Sequence, residues 1–420
     1  MPPAPSGAAP DANPHALQLI VDTAEQRDIV AAEDIYDEHD VKLWSSGQPV
    51  TRALQQRLLE RKLKRPLESC LRAQDGVTLA NLLGDAEAFL ASGHALARAA
   101  RPHAAVLTRE LRQLSLHPVA QLLLTTARTS QPATYEHAVR GMVLAGAMAG
   151  AAQAQDHHFV RLALLGGLLH DIGEMYVHPW YLQADQALGP EDYRHIVAHP
   201  RIGESLLASQ TDYPPELARA IGEHHERLDG SGYPRQLAGD AISPLGQLLA
   251  VVETTQGIAA SAPSPLARAS FALRAIPGEY ASRWAGFIAS AAHDAAEDLV
   301  HVHAAVMADA GSLADIDLRL AAALQRADAL VERAGSSAGL RSVAAKASHL
   351  LRRLRTGWNG MGLWSTAGQD DAAEPQFERR MALGELRYRL TALQRECLWP
   401  AHGLTERDRA ALQPLWEQLT

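Results

Sequence analysis

LLGGLLHDIGE, residues 164–174, runs from an apolar helical stretch into the adjacent pair His170 and Asp171, with Gly173 close behind. An imidazole beside a carboxylate at the end of an apolar helix is costly to bury unless both groups are paired or hold an ion. One such pair could be a helix cap, but further histidines follow the same pattern. His137 lies near the start of TYEHAVRGMVLAGAMAG, a helix whose alanines and glycines permit close packing. His199 lies in HIVAHPRIGESLL, directly before Pro200, and His224 and His225 close ELARAIGEHHE. The first helix, the HD corner, the HP corner and the HH pair are expected to converge at one end of a helical bundle. Neighbouring helical side chains diverge by about 100°, so His224 and His225 can reach one site only where the helix ends and the backbone turns.

Imidazole nitrogens and carboxylate oxygens are the ligands of borderline divalent metals such as iron, manganese and zinc. A carboxylate shared by two ions lowers their mutual repulsion, and a pair of ions about 3.5–4 Å apart clamps both oxygens of an in-line phosphoryl displacement. Such a centre needs about six or seven nitrogen and oxygen ligands, and residues 131–260 supply them.

The rest of the chain bounds the fold. Its 420 residues exceed one ordinary core, and a composition 47% hydrophobic but 5% aromatic, rich in alanine and leucine, favours close-packed helices over sandwiches or barrels. The formal net charge of −9 argues against duplex nucleic-acid binding through phosphates. Two distant cysteines, Cys70 and Cys397, form no disulfide framework or zinc ribbon and suit a reducing cytoplasm. No apolar run reaches the ~20 residues of a membrane span, and MPPAPSGAAPDANPHA is not a secretory signal. The expected organisation is a disordered start (1–14), a small N-terminal α+β unit (15–75), a helical connector (76–130), the histidine-bearing domain (131–275) and a C-terminal helical region (276–420). In the N-terminal unit LQLIV and DIVAAEDIYD hold β-capable stretches, and TRALQQRLLERKLKRPLESCL reads as a helix from a Thr51 cap to Pro66. Its basic run reads as a solvated face. TGWNGMGLWSTAGQDDAAEP (356–375) reads as a glycine-rich break before the last helices.

The ordered series H…HD…HP…HHE–DGSGYP over residues 130–260, with the connecting text HDIGEMYVHPWYL and HHERLDGSGYPRQLAGDAISPLGQLLAVV, resembles the HD-GYP subgroup of the HD phosphohydrolases. The resemblance implies an all-α HD-domain bundle and a phosphodiesterase that opens cyclic di-GMP to linear pGpG or on to GMP. It implies two divalent ions, of iron, manganese or another transition metal. His137, His170 and Asp171 map onto the ligands of one ion, with Asp171 bridging; His199, His224 and His225 map onto those of the second. The family's last ligand is the first aspartate of a V-A-D-x-x-D-A segment. Here AVVETTQG puts Glu253 there, with a carboxylate displaced by about one C–C bond, ~1.5 Å. A glutamate that supports a third ion in some members is Ala133 here.

Other departures concern substrate. The family lysine three residues after the HD aspartate is Glu174, a phosphate-contacting arginine aligns with Gln247, and the second aspartate of the segment is Gln256. An arginine–proline–tyrosine stretch is missing from IAASAPSPLARASFALR. The alternative function is therefore a catalytically impaired HD-GYP receptor or adaptor, and a phosphohydrolase for another nucleotide is a third reading. The DGSGYP turn has glycines that admit positive φ and a proline that fixes its exit. It is expected to present Gly232, Tyr233 and Pro234 to an opening or a signalling partner, and an oligomer is open. His195, one turn before His199, reads as a solvated position. His178 reads as structural, and His157 and His158 as openers of the helix leading to His170. DIYDEHDVKLWSSGQPV is similar to short sensory segments before some HD-GYP domains, or is a docking unit without ligand.

Overall fold

The computed structural model describes residues 13–59, 61–182, 190–259, 265–294, 313–333, 335–360, 385–386, 389–390, 393, 397, 401 and 403–417. The proline-rich start at 1–12, the break at 361–375 and most of the stretch 376–397 lie outside them.

Near the start, helix α1 (Pro14–Ala24) and helix α2 (Arg52–Leu59) accompany four short strands. Strand β1 (Ile29–Ala31) pairs antiparallel with β4 (Leu71–Ala73), and β2 (Ile35–Tyr36) with β3 (Lys42–Trp44). LQLIV is helical rather than extended, because local capping decides it. Asn13 accepts hydrogen bonds from the amides of His15 and Ala16, Pro14 occupies the first turn, and Leu17, Ile20 and Val21 then fall on one buried face. Helix α2 ends at Leu59, short of Pro66, because the chain turns to form a bridge between Leu63 and Asp37. Leu17, Ile29, Leu54 and Leu71 share one core with Leu122.

Helices α3 (Leu79–Ala91), α4 (Ala95–Ala100), α5 (Ala104–Leu111), α6 (Pro118–Ser130), α7 (Pro132–Gln153) and α8 (His157–Leu169) follow. The main pairing is α7 against α8, with Gly141 and Ala145 meeting Gly167 at the crossing. Asp156 caps α8 through the Phe159 amide, and His157 opens it as expected. Val160, Leu164 and Leu168 are buried, each contributing about 1.5–3 kcal/mol. After a short helix α9 (Pro179–Leu182) come α10 (Pro190–Gln210), α11 (Pro215–Glu223) and α12 (Pro244–Ala259). Pro200 lies inside α10, so the expected HP corner is mid-helix, where proline supplies no amide to the preceding turn and favours a bend.

Packing divides the chain into two compact units, the first comprising 1–184, 198–224 and 243–252, the second 185–197, 225–242 and 253–420. In the second, α13 (Pro265–Ala275), α14 (Ser282–Asp294), α15 (Leu313–Glu332), α16 (Ala338–Gly360) and α17 (Glu406–Trp416) are described. Thr356–Gly360, read as the start of the glycine-rich break, completes α16, whose Trp358 is fully buried. The architecture is an all-α bundle with a small α+β N-terminal unit and additional C-terminal helices. Among the described residues no helix is long and apolar enough to cross a membrane.

Candidate metal centre

Five of the predicted ligands meet within the first unit. Helix α7 carries His137 in its second turn, His170 follows the last residue of α8, and Asp171 directly precedes the short helical turn Ile172–Tyr176. Helix α10 supplies His199, and His224 follows the last residue of α11. The Asp171 carboxylate lies among the four imidazoles. Its Oδ2 is 3.2 Å from His137 Nε2 and 3.3 Å from His170 Nε2; its Oδ1 is 3.2 Å from His224 Nε2 and 3.5 Å from His199 Nε2. Within each pair the Nε2 atoms stand 3.1 Å apart. The Asp171 side chain makes no capping bond to the turn it precedes.

Backbone carbonyls set the orientation of two rings. His170 Nδ1 lies 3.0 Å from the Gly167 carbonyl and His224 Nδ1 2.6 Å from that of Ile221. A carbonyl only accepts, so Nδ1 donates in each ring, and a neutral ring then presents a bare lone pair on Nε2. Burial lowers the pKa of His224, against the opposing pull of Asp171, and so favours that neutral form. Burial opposes ionisation of Asp171, but the charge of His170 and hydrogen bonds from His137, His199 and His224 outweigh it and hold the carboxyl well below its usual range. With a proton on Nε2 a ring can donate to the carboxylate; without it, lone pair faces carboxylate oxygen, acceptor against acceptor, and a cation turns that arrangement to attraction. The donor atoms of His137, His170 and Asp171 all lie within 4.8 Å of one another, as do those of Asp171, His199 and His224. Both groups could hold a divalent ion, and nitrogen with carboxylate oxygen suits iron, manganese or zinc.

His225 and Glu253 follow His224 and Val252 directly and open two segments of the second unit. Within that unit the DGSGYP segment folds back on the HHE end. The Tyr233 amide donates to the His225 carbonyl at 3.1 Å, and the Tyr233 ring stacks on the His225 imidazole with centroids 4.5 Å apart. Tyr233 is half-buried, with one ring face covered by His225. Gly232 sits against the His225 carbonyl, where a Cβ would come within 2.4 Å. The Tyr233–Pro234 peptide is cis. Glu174 lies in the turn after Asp171 and Gln247 in the first turns of α12, both half-buried. His195 is half-buried on α10, and His178 caps α9 by accepting from the Trp180 amide.

Two supporting carboxylates escaped the sequence reading. Buried Glu223 accepts from the Ser243 amide at 2.8 Å and from Arg219 at 2.7 Å, tying the end of α11 to the start of α12. Buried Glu226 accepts from the amides of Arg235 and Leu237 at 2.7 and 2.9 Å and closes the DGSGYP loop. The signal available was a charged residue on each side of the HH pair, at positions that face inward.

Residues 118–284 match the HD domain family. A cyclic di-GMP phosphodiesterase of Pseudomonas aeruginosa is 35% identical over 162 residues, covering 38% of this chain and 39% of that protein. A 3'3'-cGAMP-specific phosphodiesterase of Vibrio cholerae is 35% identical over 23% of this chain and 21% of its own length. A cyclic di-GMP phosphodiesterase response regulator of Xanthomonas campestris is 31% identical over 25% and 28%. The match thus spans about two fifths or less of these relatives. The ordered histidines, Asp171 and the DGSGYP loop all lie within residues 118–284, the part of the chain that is similar to the HD domain family.

Proposed function

We propose that the protein is a metal-dependent phosphodiesterase that hydrolyses a cyclic dinucleotide, with cyclic di-GMP the first candidate and linear pGpG or GMP the product. The observation that carries this reading is the division of four imidazoles between the two oxygens of Asp171. His137, His170 and Asp171 would hold one divalent ion, and Asp171, His199 and His224 the other; the resemblance adds His225 to the second and Glu253 as the last ligand. Such ions supply Lewis acidity and activate water near neutral pH. In this reading Asp171 provides the negative charge that both positions share. The Gly167 and Ile221 carbonyls fix two rings in the ligating tautomer. Named relatives acting on cyclic di-GMP and on 3'3'-cGAMP support a cyclic dinucleotide as the substrate class.

The second reading, a receptor or adaptor that binds nucleotide without turning it over, is favoured by Glu174, a carboxylate three residues beyond Asp171. An extra like charge near a phosphate site costs on the order of 1 kcal/mol or more. Anaerobic purification, metal analysis and turnover of cyclic di-GMP with manganese or iron separate the two. Product formation that stops on chelation is the outcome for the enzyme. Saturable nucleotide binding with bound metal and no product is the outcome for the receptor.

A further inference from the structure

The second unit holds a buried charge network that the metal centre does not explain. Asp229, at the head of the DGSGYP turn, is 2% exposed at its side chain. Its Oδ1 accepts from the amide and hydroxyl of Ser231 at 3.0 and 2.6 Å, which shapes the turn. Its Oδ2 lies 3.1 Å from Arg353 Nε on α16, more than a hundred residues along the chain. Arg353 also donates from Nη2 to the Pro277 carbonyl at 2.9 Å. A second tie runs beside it: the Leu228 amide donates to the Glu279 carbonyl at 2.9 Å, while the Glu279 carboxylate pairs with Arg389. Arg227 lies over the Tyr280 ring at 4.9 Å and donates to Thr254, the residue after Glu253. Asp229, Arg353, Glu279, Arg389 and Arg227 line a cavity of about 100 Å³.

We infer that Arg353 is a positioning residue: it fixes the DGSGYP loop through Asp229, and the loop in turn orients His225. The loop's hold on His225 is direct, through the Tyr233 amide on its carbonyl and the Tyr233 ring against its imidazole. One oxygen of Asp229 shapes the turn and the other carries the charge that Arg353 neutralises. Without Arg353 a buried carboxylate loses its counter-charge, and the least costly response is for the turn to open toward water. The C-terminal helices thereby become part of the device that sets one metal ligand, a role the linear motif does not contain. The inference rests on the reading of His225 as a ligand.

The test compares full-length wild type with Arg353→Ala, Arg353→Lys and the double variant Arg353→Ala/Asp229→Asn. Metal-stripped protein is titrated with Mn²⁺ by calorimetry, and hydrogen exchange is followed over residues 225–242. Arg353→Ala is expected to weaken the weaker Mn²⁺ step at least tenfold, to leave the tighter step within about twofold, and to speed exchange over 225–242 with α7 and α8 unchanged. Arg353→Lys, which keeps the ion pair, and the double variant, which removes the stranded charge, are expected to recover most of both effects. Wild-type Mn²⁺ binding with an unaltered Arg353→Ala titration and exchange pattern overturns the inference alone. Loss of both Mn²⁺ steps together with the helical signal also overturns it, since Arg353 would then serve only the fold. If wild type binds no Mn²⁺, the metal reading fails instead; unchanged loop exchange in Arg353→Ala would in that case still overturn the positioning role.

Discussion

Gly173 lies against the backbone of His199 so closely that a Cβ on it would sit 2.0 Å from the His199 carbonyl oxygen. The chain that leaves Asp171 and the helix that carries His199 are in backbone contact, and only hydrogen fits between them. Gly173→Ala must push α10 away from the Asp171 turn. We expect a loss of about 1–3 kcal/mol, the usual cost of overpacking, and weaker binding of the ion that His199 would hold. Thermal unfolding of the metal-free protein, beside a Mn²⁺ titration, measures both; unchanged values would mean that the contact relaxes without cost.

Asp171→Asn distinguishes a bridging carboxylate from a structural one. The side chain makes no capping bond, so removing its charge should leave the far-ultraviolet circular dichroism nearly unchanged. Metal stoichiometry should drop by one or two ions and any hydrolysis should vanish. Full metal content and activity in the variant would reassign the centre.

By the resemblance, Glu174 and Gln247 occupy positions where HD-GYP proteins carry a lysine and an arginine. The double variant Glu174→Lys/Gln247→Arg should raise affinity or turnover for cyclic di-GMP. Charge-assisted hydrogen bonds contribute about 1.5–3 kcal/mol each, tenfold or more in affinity. If metal stays bound and neither quantity rises, the substrate is something else or the pocket is closed.

Glu110 on α5 gives a pH dependence remote from the metal. Burial would raise its pKa, but hydrogen bonds from Arg109, Arg161 and His157 draw it down to about 2. A carboxylate depressed on folding stabilises fully above its unfolded pKa, about 4.3, and the contribution is lost as pH falls toward 2. Metal-free wild type should therefore lose on the order of 1–3 kcal/mol over that interval through this residue. Glu110→Gln should be less stable at pH 6, with a flatter stability curve between pH 4.5 and 2. Parallel curves for the two proteins would show that Glu110 contributes no net proton linkage.

Residue chemistry and local periodicity sufficed for much of this protein. The apolar run ending at His170, the small residues of α7, the histidines opening α8 and the HH pair at the end of α11 are local patterns, and each element formed where its pattern lies. The candidate ligands and their order along the chain are likewise written in the sequence. What tertiary structure decided are relationships between distant segments. The oxygen of Asp171 that each imidazole faces depends on how four helices pack, and the close approach of Gly173 to the His199 backbone depends on α10 lying against the Asp171 turn. The Tyr233 ring turns onto His225 because Glu226 closes the loop through the amides of Arg235 and Leu237, and Arg353 reaches Asp229 only once α16 is in place. Periodicity tells which face of a helix is buried, but not what it is buried against. Those partners are chosen by close packing and by the need of every buried charge for a counter-charge or hydrogen bond, conditions that only the assembled chain can meet.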